Sequence, residues 1–367
     1  MALDDFLRRE IDLGSFASAS YAVGTIAGLE REGALGNAVA VPLRIPATPD
    51  TIYDCASITK PLVTGMLVLQ AIAEGKIALD DEYRGFTFRE LLTHTSGLRS
   101  WMPLYAYLAS SSVFLGSSES LGGGGATPRN SEELRGTPRN WRDVYLRAIE
   151  QDGRELARGE RAVYSDLNFV LLYFALQEIF GDYVRAARER IFEPLRLRDA
   201  MFHPPQPLKP RIAATEWGQR FEPVLRQRLG LTVPMPPNLR QSLMWGETND
   251  GNSFYAGGTC GNAGLFATAR DVFRIAQGFV RGELVARKLV DEATRVHFED
   301  RGLGWQLAGP GLSSFSFGHM GFTGTSVWVD GDRIMVLLTN RIHPCAAAIG
   351  MHRIRGEFHR ICLHRPA

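Results

Sequence analysis

The sequence predicts an α+β protein in which both ends of the chain form one antiparallel sheet and a mainly helical region is inserted between them. Strand-like segments lie near the start of the chain, helical patterns fill its middle, and a hairpin pattern lies near its end. Two apolar runs, 327–329 and 334–338, flank the turn sequence Asp330-Gly331-Asp332, which is a strong hairpin signal. One sheet shared by both strand groups is the simplest way to bury their apolar faces.

The first sixty residues contain the strands that the N-terminal end of the chain is expected to contribute to this sheet. We expect a helix over 3–12, strands over 18–29 and 34–41 joined near 31–33, and a short strand over 51–53. A long apolar helix then runs from Ser57 to about residue 74 and ends near Gly75. Pro61 supports a start near Ser57, because proline is tolerated in the first turn of a helix and not in its interior.

Helical patterns dominate the remainder of the chain. We expect helices over 89–94, 141–150, 166–180, 183–191, 271–280, 292–298 and 349–363, little regular structure over 203–252, and a strand over 315–321. Residues 109–140 hold a serine run, a glycine block and a duplicated Thr-Pro-Arg-Asn, a composition that predicts a mobile surface loop. The expected domains are a discontinuous sheet domain, 1–60 with 255–367, and a mainly helical domain, 61–254, that contains the loop.

Composition and charge restrict the class of partner. The chain has 367 residues, 45% hydrophobic and 22% charged, with a net charge of +1, so nothing favours nucleic acid or an anionic membrane. No apolar stretch approaches the roughly 18 residues of a membrane span. The charged, amphipathic N-terminus differs from a signal peptide and predicts a cytoplasmic protein, or a periplasmic one if a signal peptide had been removed. The oligomeric state stays open.

The four cysteines give no sign of a metal or cofactor site. Cys55, Cys260, Cys345 and Cys362 form no Cys-x-x-Cys pair and have no zinc-like spacing with histidine. We therefore expect buried free thiols, with no metal and no cofactor.

The segment Ser57-Ile58-Thr59-Lys60 carries the first chemical signal. Residues three apart share a helix face, so the Lys60 amine would lie beside the Ser57 hydroxyl at the helix start. The Ser57 N–H and the helix dipole would favour negative charge there, and a desolvated Lys60 would act as a base. Taken alone, the segment is more simply a helix cap followed by a solvated lysine.

Tyr164 and Asp166 directly precede the apolar helix predicted over 166–180. A tyrosine at such a junction can exchange a proton with a nearby serine, and Asp166 occupies a position typical of a helix N-cap. A core aromatic beside a cap is the plainer alternative.

The third segment is His319-Met320-Gly321, at the entry to the C-terminal hairpin. A strand beside a cleft can bind the main chain of a substrate, and Gly321 permits the close approach that this needs. Considered alone, His319 is more simply a satisfied core or edge histidine.

In combination, these motifs resemble the penicillin-binding-protein/β-lactamase superfamily. Ser-x-x-Lys, Tyr-x-Asp and His-x-Gly occur in its order and rough spacing. Residues 51–61 resemble the nucleophile segment of class C β-lactamases and related esterases, and 91–98 resemble the loop after their second helix. Further similar blocks are 263–266 with Thr268 and Asp271, 321–325, and 337–341. The resemblance extends over about 15–360, excluding the 109–140 loop.

The resemblance implies a β-lactamase/DD-peptidase-like fold and an acyl-transfer enzyme. It places the nucleophile at Ser57 and the proton carriers at Lys60 and Tyr164, without deciding which of the two is the base. The backbone N–H groups of Ser57 and Phe322 would form the oxyanion hole. Asp166, His319 and Gly321 would contact the substrate, a small ester, amide or peptide.

Two departures from the family motifs bear on the substrate. Asp166 replaces the frequent asparagine of the second motif, and an ionised aspartate only accepts hydrogen bonds. His319 replaces the usual lysine of the third motif and is positive only when protonated. Both weaken the case for an efficient β-lactamase and favour an esterase or a peptidase with other substrate preferences.

Three alternatives remain beside the carboxylesterase. The same residues suit a D-Ala-D-Ala carboxypeptidase or D-amino-acid peptidase, or a weak β-lactamase. A catalytically silent module that binds a peptide or cell-wall fragment is the alternative of another class. Asn249 and Asn262 stand where a narrower, carboxypeptidase-like branch usually has histidines, and we expect them, like His94, to stabilise loops by hydrogen bonds.

Overall fold

The structure is a computed structural model that describes residues 2–110, 140–236, 239–345 and 350–364. The predicted mobile loop over 109–140 lies almost entirely outside the described residues.

Both ends of the chain contribute strands to one seven-stranded antiparallel sheet, as predicted. The strands of the described chain, including short ones outside this sheet, are β1 (Ser18–Thr25), β2 (Leu29–Val39), β3 (Ile45–Pro46), β4 (Tyr53–Asp54), β5 (Glu82–Tyr83), β6 (Phe86–Thr87), β7 (Phe266–Ala267), β8 (Gln306–Leu307), β9 (Phe317–Met320), β10 (Ser326–Asp330) and β11 (Arg333–Thr339). The large sheet has the order β3-β2-β1-β11-β10-β9-β8, and β4 pairs separately with β7. Ala19 on β1 lies opposite Thr339 on β11, and this pairing joins the two chain ends.

Helices cover both faces of the sheet and fill the region between the two strand groups. They are α1 (Leu3–Asp12), α2 (Met66–Ala73), α3 (Phe88–Thr93), α4 (Leu104–Ser110), α5 (Trp141–Asp152), α6 (Asp166–Phe180), α7 (Tyr183–Ala187), α8 (Phe221–Arg228), α9 (Gly251–Tyr255), α10 (Ala269–Val280), α11 (Arg287–Thr294) and α12 (Met351–Leu363). The bounds of α1 and α6 match the sequence prediction, and those of α5, α10 and α12 lie close to it.

Alternation along β11 separates two hydrophobic cores. Met335 and Leu337 point towards α1 and α12, where they pack with Trp328. Val336 belongs to the larger core on the opposite face, which continues into the helical region through residues such as Leu171. The predicted sheet and helical parts therefore share one core, and their division at 60/61 and 254/255 stays a prediction.

The helix that follows β4 changes its hydrogen-bonding pattern along its length. It begins as a 3₁₀ turn (Ala56–Ile58), continues as a π-helix (Lys60–Gly65) and becomes α-helical in α2. Pro61 lies near the start of the π segment. In contrast to the sequence-based expectation, one helical stretch of the described chain, Ala56–Ala73, is long and apolar enough to cross a bilayer. However, 83% of it is buried, as in a core helix.

The prediction of a turn near 31–33 was wrong. The chain reverses at 26–28, where Thr25 N–H donates to the Gly28 carbonyl (2.9 Å), and β2 continues through Gly33. A Cβ at Gly33 would collide with the ring of Tyr21 on β1, so this glycine accommodates cross-strand packing.

Two helices also differ from the prediction. α8 lies inside 203–252, where little regular structure was expected. α11 ends at Thr294, before the end of the helix predicted over 292–298, and its buried residues are Val290 and Ala293. Beyond it the chain forms a turn, in which the His297 N–H donates to the Arg301 carbonyl (2.9 Å).

All four cysteines are free thiols. Cys55, Cys260 and Cys362 are buried as predicted, whereas Cys345 is exposed.

Candidate active site

Ser57 occupies the middle of the 3₁₀ turn at the start of the core helix. Ala56 before it has a left-handed backbone with φ 47°, a conformation that non-glycine residues adopt rarely. Lys60 follows three residues later and is fully buried, with its Nζ 2.9 Å from Ser57 Oγ. The helical spacing therefore brings the two side chains together, as the sequence indicated.

Lys60 is surrounded by oxygen atoms. Besides Ser57 Oγ, its Nζ lies 3.0 Å from the Asn262 carbonyl oxygen and 2.7 Å from Asp166 Oδ1. Burial alone would lower the pKa of Lys60, but the Asp166 carboxylate and the Tyr164 hydroxyl outweigh it, and the net pKa is raised. The resting lysine is therefore an ammonium group, which differs from the neutral base that desolvation alone predicted.

Tyr164 lies just before α6, within interaction distance of both Ser57 and Lys60. Lys60 Nζ lies 5.0 Å from the centroid of its ring. Burial raises the pKa of Tyr164, while the Lys60 charge opposes the rise. Nucleophile, ammonium and phenol thus form one contiguous group.

His94 holds the segment that carries Tyr164. Its carbonyl accepts from Val163 N–H (2.9 Å), and its Nδ1 accepts from Ser165 N–H (3.0 Å), so both neighbours of the tyrosine are anchored. Burial lowers the pKa of His94 well below its usual value, which keeps Nδ1 free of a proton and able to accept.

His319 lies on β9 beside the same tyrosine. It is 3% exposed, and its ring centroid is 5.7 Å from that of Tyr164. Burial, with Lys60 nearby, lowers the pKa of His319 well below its usual value. The imidazole is therefore neutral at neutral pH and does not reproduce the fixed charge of a lysine at this position.

Gly321 and Phe322 follow β9 and lie against the turn that precedes Ser57. A Cβ on Gly321 would collide with Thr325 Oγ1 and approach the Cys55 carbonyl oxygen to 2.8 Å, so a side chain is excluded there. Among the described residues, neither the Ser57 N–H nor the Phe322 N–H donates to a protein acceptor. Both groups are thus available to a ligand.

A cavity of about 700 Å³ brings the predicted residues together. Its lining includes Ser57, Tyr164, Asp166, His319, Gly321 and Phe322, whereas Lys60 lies buried behind the serine. All of the sequence-predicted site residues therefore meet at one cavity or directly behind it.

Two arginines in the same cavity were not predicted. Arg341 Nε donates to the Phe322 carbonyl (2.7 Å), and Arg355 donates to the carbonyls of Gly321 (2.9 Å) and Thr325 (3.0 Å). Burial and the nearby Arg341 lower the pKa of Arg355. The similarity block over 337–341 contained a signal for Arg341, but nothing in the sequence indicated that α12 reaches the cavity.

The two asparagines stabilise the cavity wall. Asn262 Oδ1 accepts from Ser253 Oγ (3.1 Å), and Asn249 N–H donates to Asp54 Oδ2 (2.7 Å). In the part of the chain that the structure describes, no cluster of three or more His, Cys, Asp or Glu side chains is arranged to hold a metal ion.

Comparison with known proteins assigns the chain to a family. The family model described as Beta-lactamase matches residues 36–357, which is most of the chain. The chain belongs to the beta-lactamase family. Membership of this family, together with a putative carboxypeptidase among its relatives, identifies it as a serine hydrolase.

Relatives of this beta-lactamase-family chain differ in their activities. A putative D-alanyl-D-alanine carboxypeptidase of Escherichia coli K12 is 28% identical over 329 residues, which cover 83% of this chain and 72% of that protein. The solved structure of EstCE1, a hydrolase with promiscuous acyltransferase activity, superposes with a TM-score of 0.68 at 16% identity, covering 99% of this chain and 97% of that one. A D-amino acid amidase from Ochrobactrum anthropi SV3 gives 0.67 at 18% identity, with 98% and 96% covered. At these identities the two structures support the fold alone.

Proposed function

We propose that the protein cleaves an ester or amide bond through an acyl-enzyme on Ser57, with carboxylesters as the preferred substrates. The observation that carries this proposal is the contact of Ser57 Oγ with Lys60 Nζ at 2.9 Å, within reach of Tyr164 and facing the cavity. A serine hydroxyl becomes a nucleophile when a neighbouring group takes its proton.

In the first half-reaction, Ser57 Oγ attacks the carbonyl carbon and its proton passes to the Tyr164–Lys60 pair. Each residue shifts the pKa of the other. We therefore treat them as one titrating pair, and the proton acceptor is this pair after it has lost one proton. The carbonyl oxygen becomes negative between the N–H groups of Ser57 and Phe322, where two such donors stabilise the tetrahedral intermediate.

Collapse of the intermediate completes the transfer. The bond to the leaving group breaks, the pair returns the proton to the departing alkoxide or amine, and Ser57 carries the acyl group. Water then attacks the ester so formed, gives its proton to the same pair and releases the acid, while Ser57 Oγ regains a proton.

Turnover of p-nitrophenyl acetate, p-nitrophenyl butyrate and nitrocefin tests the proposal. We expect ester turnover with little nitrocefin turnover, an acyl adduct visible by intact mass spectrometry, and loss of both in Ser57→Ala. Circular dichroism of Ser57→Ala provides the folding control. Absence of both turnover and adduct in the wild type would reject the enzyme and favour the silent binding module.

A second candidate is a carboxypeptidase, favoured by the positive charge of Arg341 and Arg355 at the cavity wall. Arg355 is 7% exposed, and within the described chain it forms no ion pair with a carboxylate. A substrate carboxylate bound there would offset the burial of that charge. His319 was predicted from the sequence as a substrate contact in place of the usual lysine, but its neutral ring is unsuited to binding a carboxylate.

Peptides ending in D-Ala-D-Ala, with a free carboxylate or as the C-terminal amide, test this candidate. Cleavage of the free acid, which releases D-alanine, at least tenfold faster than cleavage of the amide, which releases D-alanine amide, with a smaller preference in Arg341→Gln, would support it. Equal rates for acid and amide, or no release, would leave the esterase as the better description.

A further inference from the structure

Asp54 connects three parts of the cavity without lining it. It lies three residues before Ser57, at the end of β4, and is 2% exposed. Its Oδ1 accepts from the Ala56 N–H at 2.9 Å, and its Oδ2 accepts from the Asn249 N–H at 2.7 Å. Its backbone carbonyl accepts from Thr323 Oγ1 at 2.9 Å.

The contact with Ala56 acts on the orientation of the nucleophile. Ala56 has the left-handed φ of 47°, so the peptide that follows it, whose N–H belongs to Ser57, takes a direction that an unconstrained chain would rarely adopt. A carboxylate oxygen on the Ala56 N–H stabilises this conformation from the preceding side. Strained conformations of this kind persist only where the surrounding structure holds them.

The contact with Thr323 acts on the opposite side of the cavity. Thr323 follows Phe322, and the neighbouring Cys55 carbonyl accepts from Thr325 Oγ1 at 2.9 Å. Two consecutive carbonyls, those of Asp54 and Cys55, therefore fasten the turn that presents the Phe322 N–H. Asp54 thus contacts a neighbour of each backbone donor of the proposed oxyanion hole, Ala56 beside Ser57 and Thr323 beside Phe322.

We propose that Asp54 is a positioning residue that sets the separation and direction of the Ser57 and Phe322 N–H groups. This inference rests on the proposed acyl-enzyme function. Asp54 acts through Ala56 and Thr323 and does not touch the substrate. Because the donors matter most once the carbonyl oxygen is negative, the effect falls on the transition state and not on ground-state binding.

Asp54→Asn is the direct test, because asparagine keeps the shape but turns an NH₂ group towards one of the two backbone N–H donors. We expect kcat for p-nitrophenyl acetate to fall about 10- to 100-fold, with KM changed less than twofold. Affinity for a boronic acid or phosphonate transition-state analogue should fall by a similar factor. A merely structural role would not move kcat and analogue affinity together while leaving KM unchanged.

Asp271→Asn is the matched control. Asp271 is also a buried aspartate, 7% exposed, whose Oδ2 accepts a backbone N–H, that of Asp199 at 2.7 Å. It lies at the start of α10 and does not line the cavity. We expect a lower Tm in this variant, with kcat and analogue affinity close to those of the wild type.

Thr323→Val carries the test if Asp54→Asn does not fold. Valine removes the bond to the Asp54 carbonyl while leaving the carboxylate contacts intact, and we expect roughly a tenfold loss of kcat with unchanged KM. A kcat in Asp54→Asn equal to that of Asp271→Asn, or an unchanged kcat in Thr323→Val, overturns the proposal. Failure of the acyl-enzyme function itself would show separately, as a wild-type protein that forms no adduct on Ser57.

Discussion

Lys60 Nζ lies 2.7 Å from Oδ1 of Asp166, so the lysine behind the nucleophile has a carboxylate as its closest partner. The side chain of Lys60 is fully buried and that of Asp166 is 15% exposed. A pair this close stabilises the ammonium form, and the net pKa of Lys60 is raised despite burial. Asp166, which departs from the family motif, therefore pairs with Lys60 and raises the pKa of that lysine.

Asp166→Asn should move the pH dependence of ester hydrolysis. Activity requires the Tyr164–Lys60 pair to lose one proton, so kcat/KM should rise with pH in the alkaline range. The Asp166 carboxylate raises the pKa of Lys60, and its removal lowers that pKa; the rising limb should therefore move to lower pH by one unit or more. A pH profile of p-nitrophenyl acetate hydrolysis, with Asp152→Asn as the surface control, measures this. An unmoved limb would show that Lys60 does not belong to the titrating pair.

The same substitution should alter the choice between amides and esters. Asparagine can donate to the carbonyl of an amide substrate, whereas an ionised aspartate can only accept. We expect the ratio of nitrocefin to p-nitrophenyl acetate kcat/KM to rise about tenfold in Asp166→Asn, equivalent to about 1.4 kcal/mol. Both substrates should be measured at the pH optimum of each protein, so that the shift of the limb does not enter the ratio. An unchanged ratio would mean that residue 166 does not contact the substrate.

The contrast between Ser57–Lys60 and Lys60–Asp166 shows which parts of the site the sequence could predict. Ser57 and Lys60 are three positions apart on one helical segment, and this spacing alone places their side chains on the same face. The first pair was therefore predictable from the sequence. The second pair joins segments far apart in the chain, and only the packing of α6 on the core helix brings them together. Desolvation alone therefore predicted a neutral lysine, because the partner that reverses the shift was not visible.

Gly33 shows the same limit for the fold. A glycine beside charged residues is typical of a turn, and the hairpin was placed there. The glycine instead makes room for Tyr21 on the neighbouring strand, a requirement that appears only when β1 and β2 are paired. The sheet from both chain ends was predictable because periodic apolar patterns carry it, whereas the turn depended on one cross-strand contact.

His94 should affect the rate through Tyr164. Its carbonyl and Nδ1 anchor Val163 and Ser165, so His94→Ala removes the side-chain anchor and leaves the backbone one. We expect kcat to fall about tenfold or more, since misplaced proton-transfer groups lose much of their effect. His364→Ala, at the exposed end of α12, is the control. The two variants should be compared for kcat, KM and Tm, and equal kcat values would contradict the anchoring role.

His359 should make the folded state sensitive to acid. It is buried beneath β10, with Nδ1 2.7 Å from the Pro310 carbonyl, and its ring centroid lies 6.1 Å from that of Trp328. Burial, aided by Arg355 and opposed by the Pro310 carbonyl and Asp330, lowers the pKa of His359 from 6.5 to about 4. Below pH 6.5 the unfolded chain binds a proton that the folded chain does not, so stability is lost as the pH falls from 6.5 towards 4.

Replacing His359 with glutamine removes this proton from the balance. Its amide can still donate to the Pro310 carbonyl, although the change of shape should lower the free energy of unfolding at pH 7. Between pH 7 and 4.5, however, the variant should lose about 2 kcal/mol less than the wild type, given about 1.4 kcal/mol per pKa unit. Urea unfolding followed by circular dichroism at both pH values measures the difference. The other buried titratable groups, among them His94, His319 and Asp54, are common to both proteins and cancel in the comparison, so parallel losses would mean that His359 is protonated in the folded state.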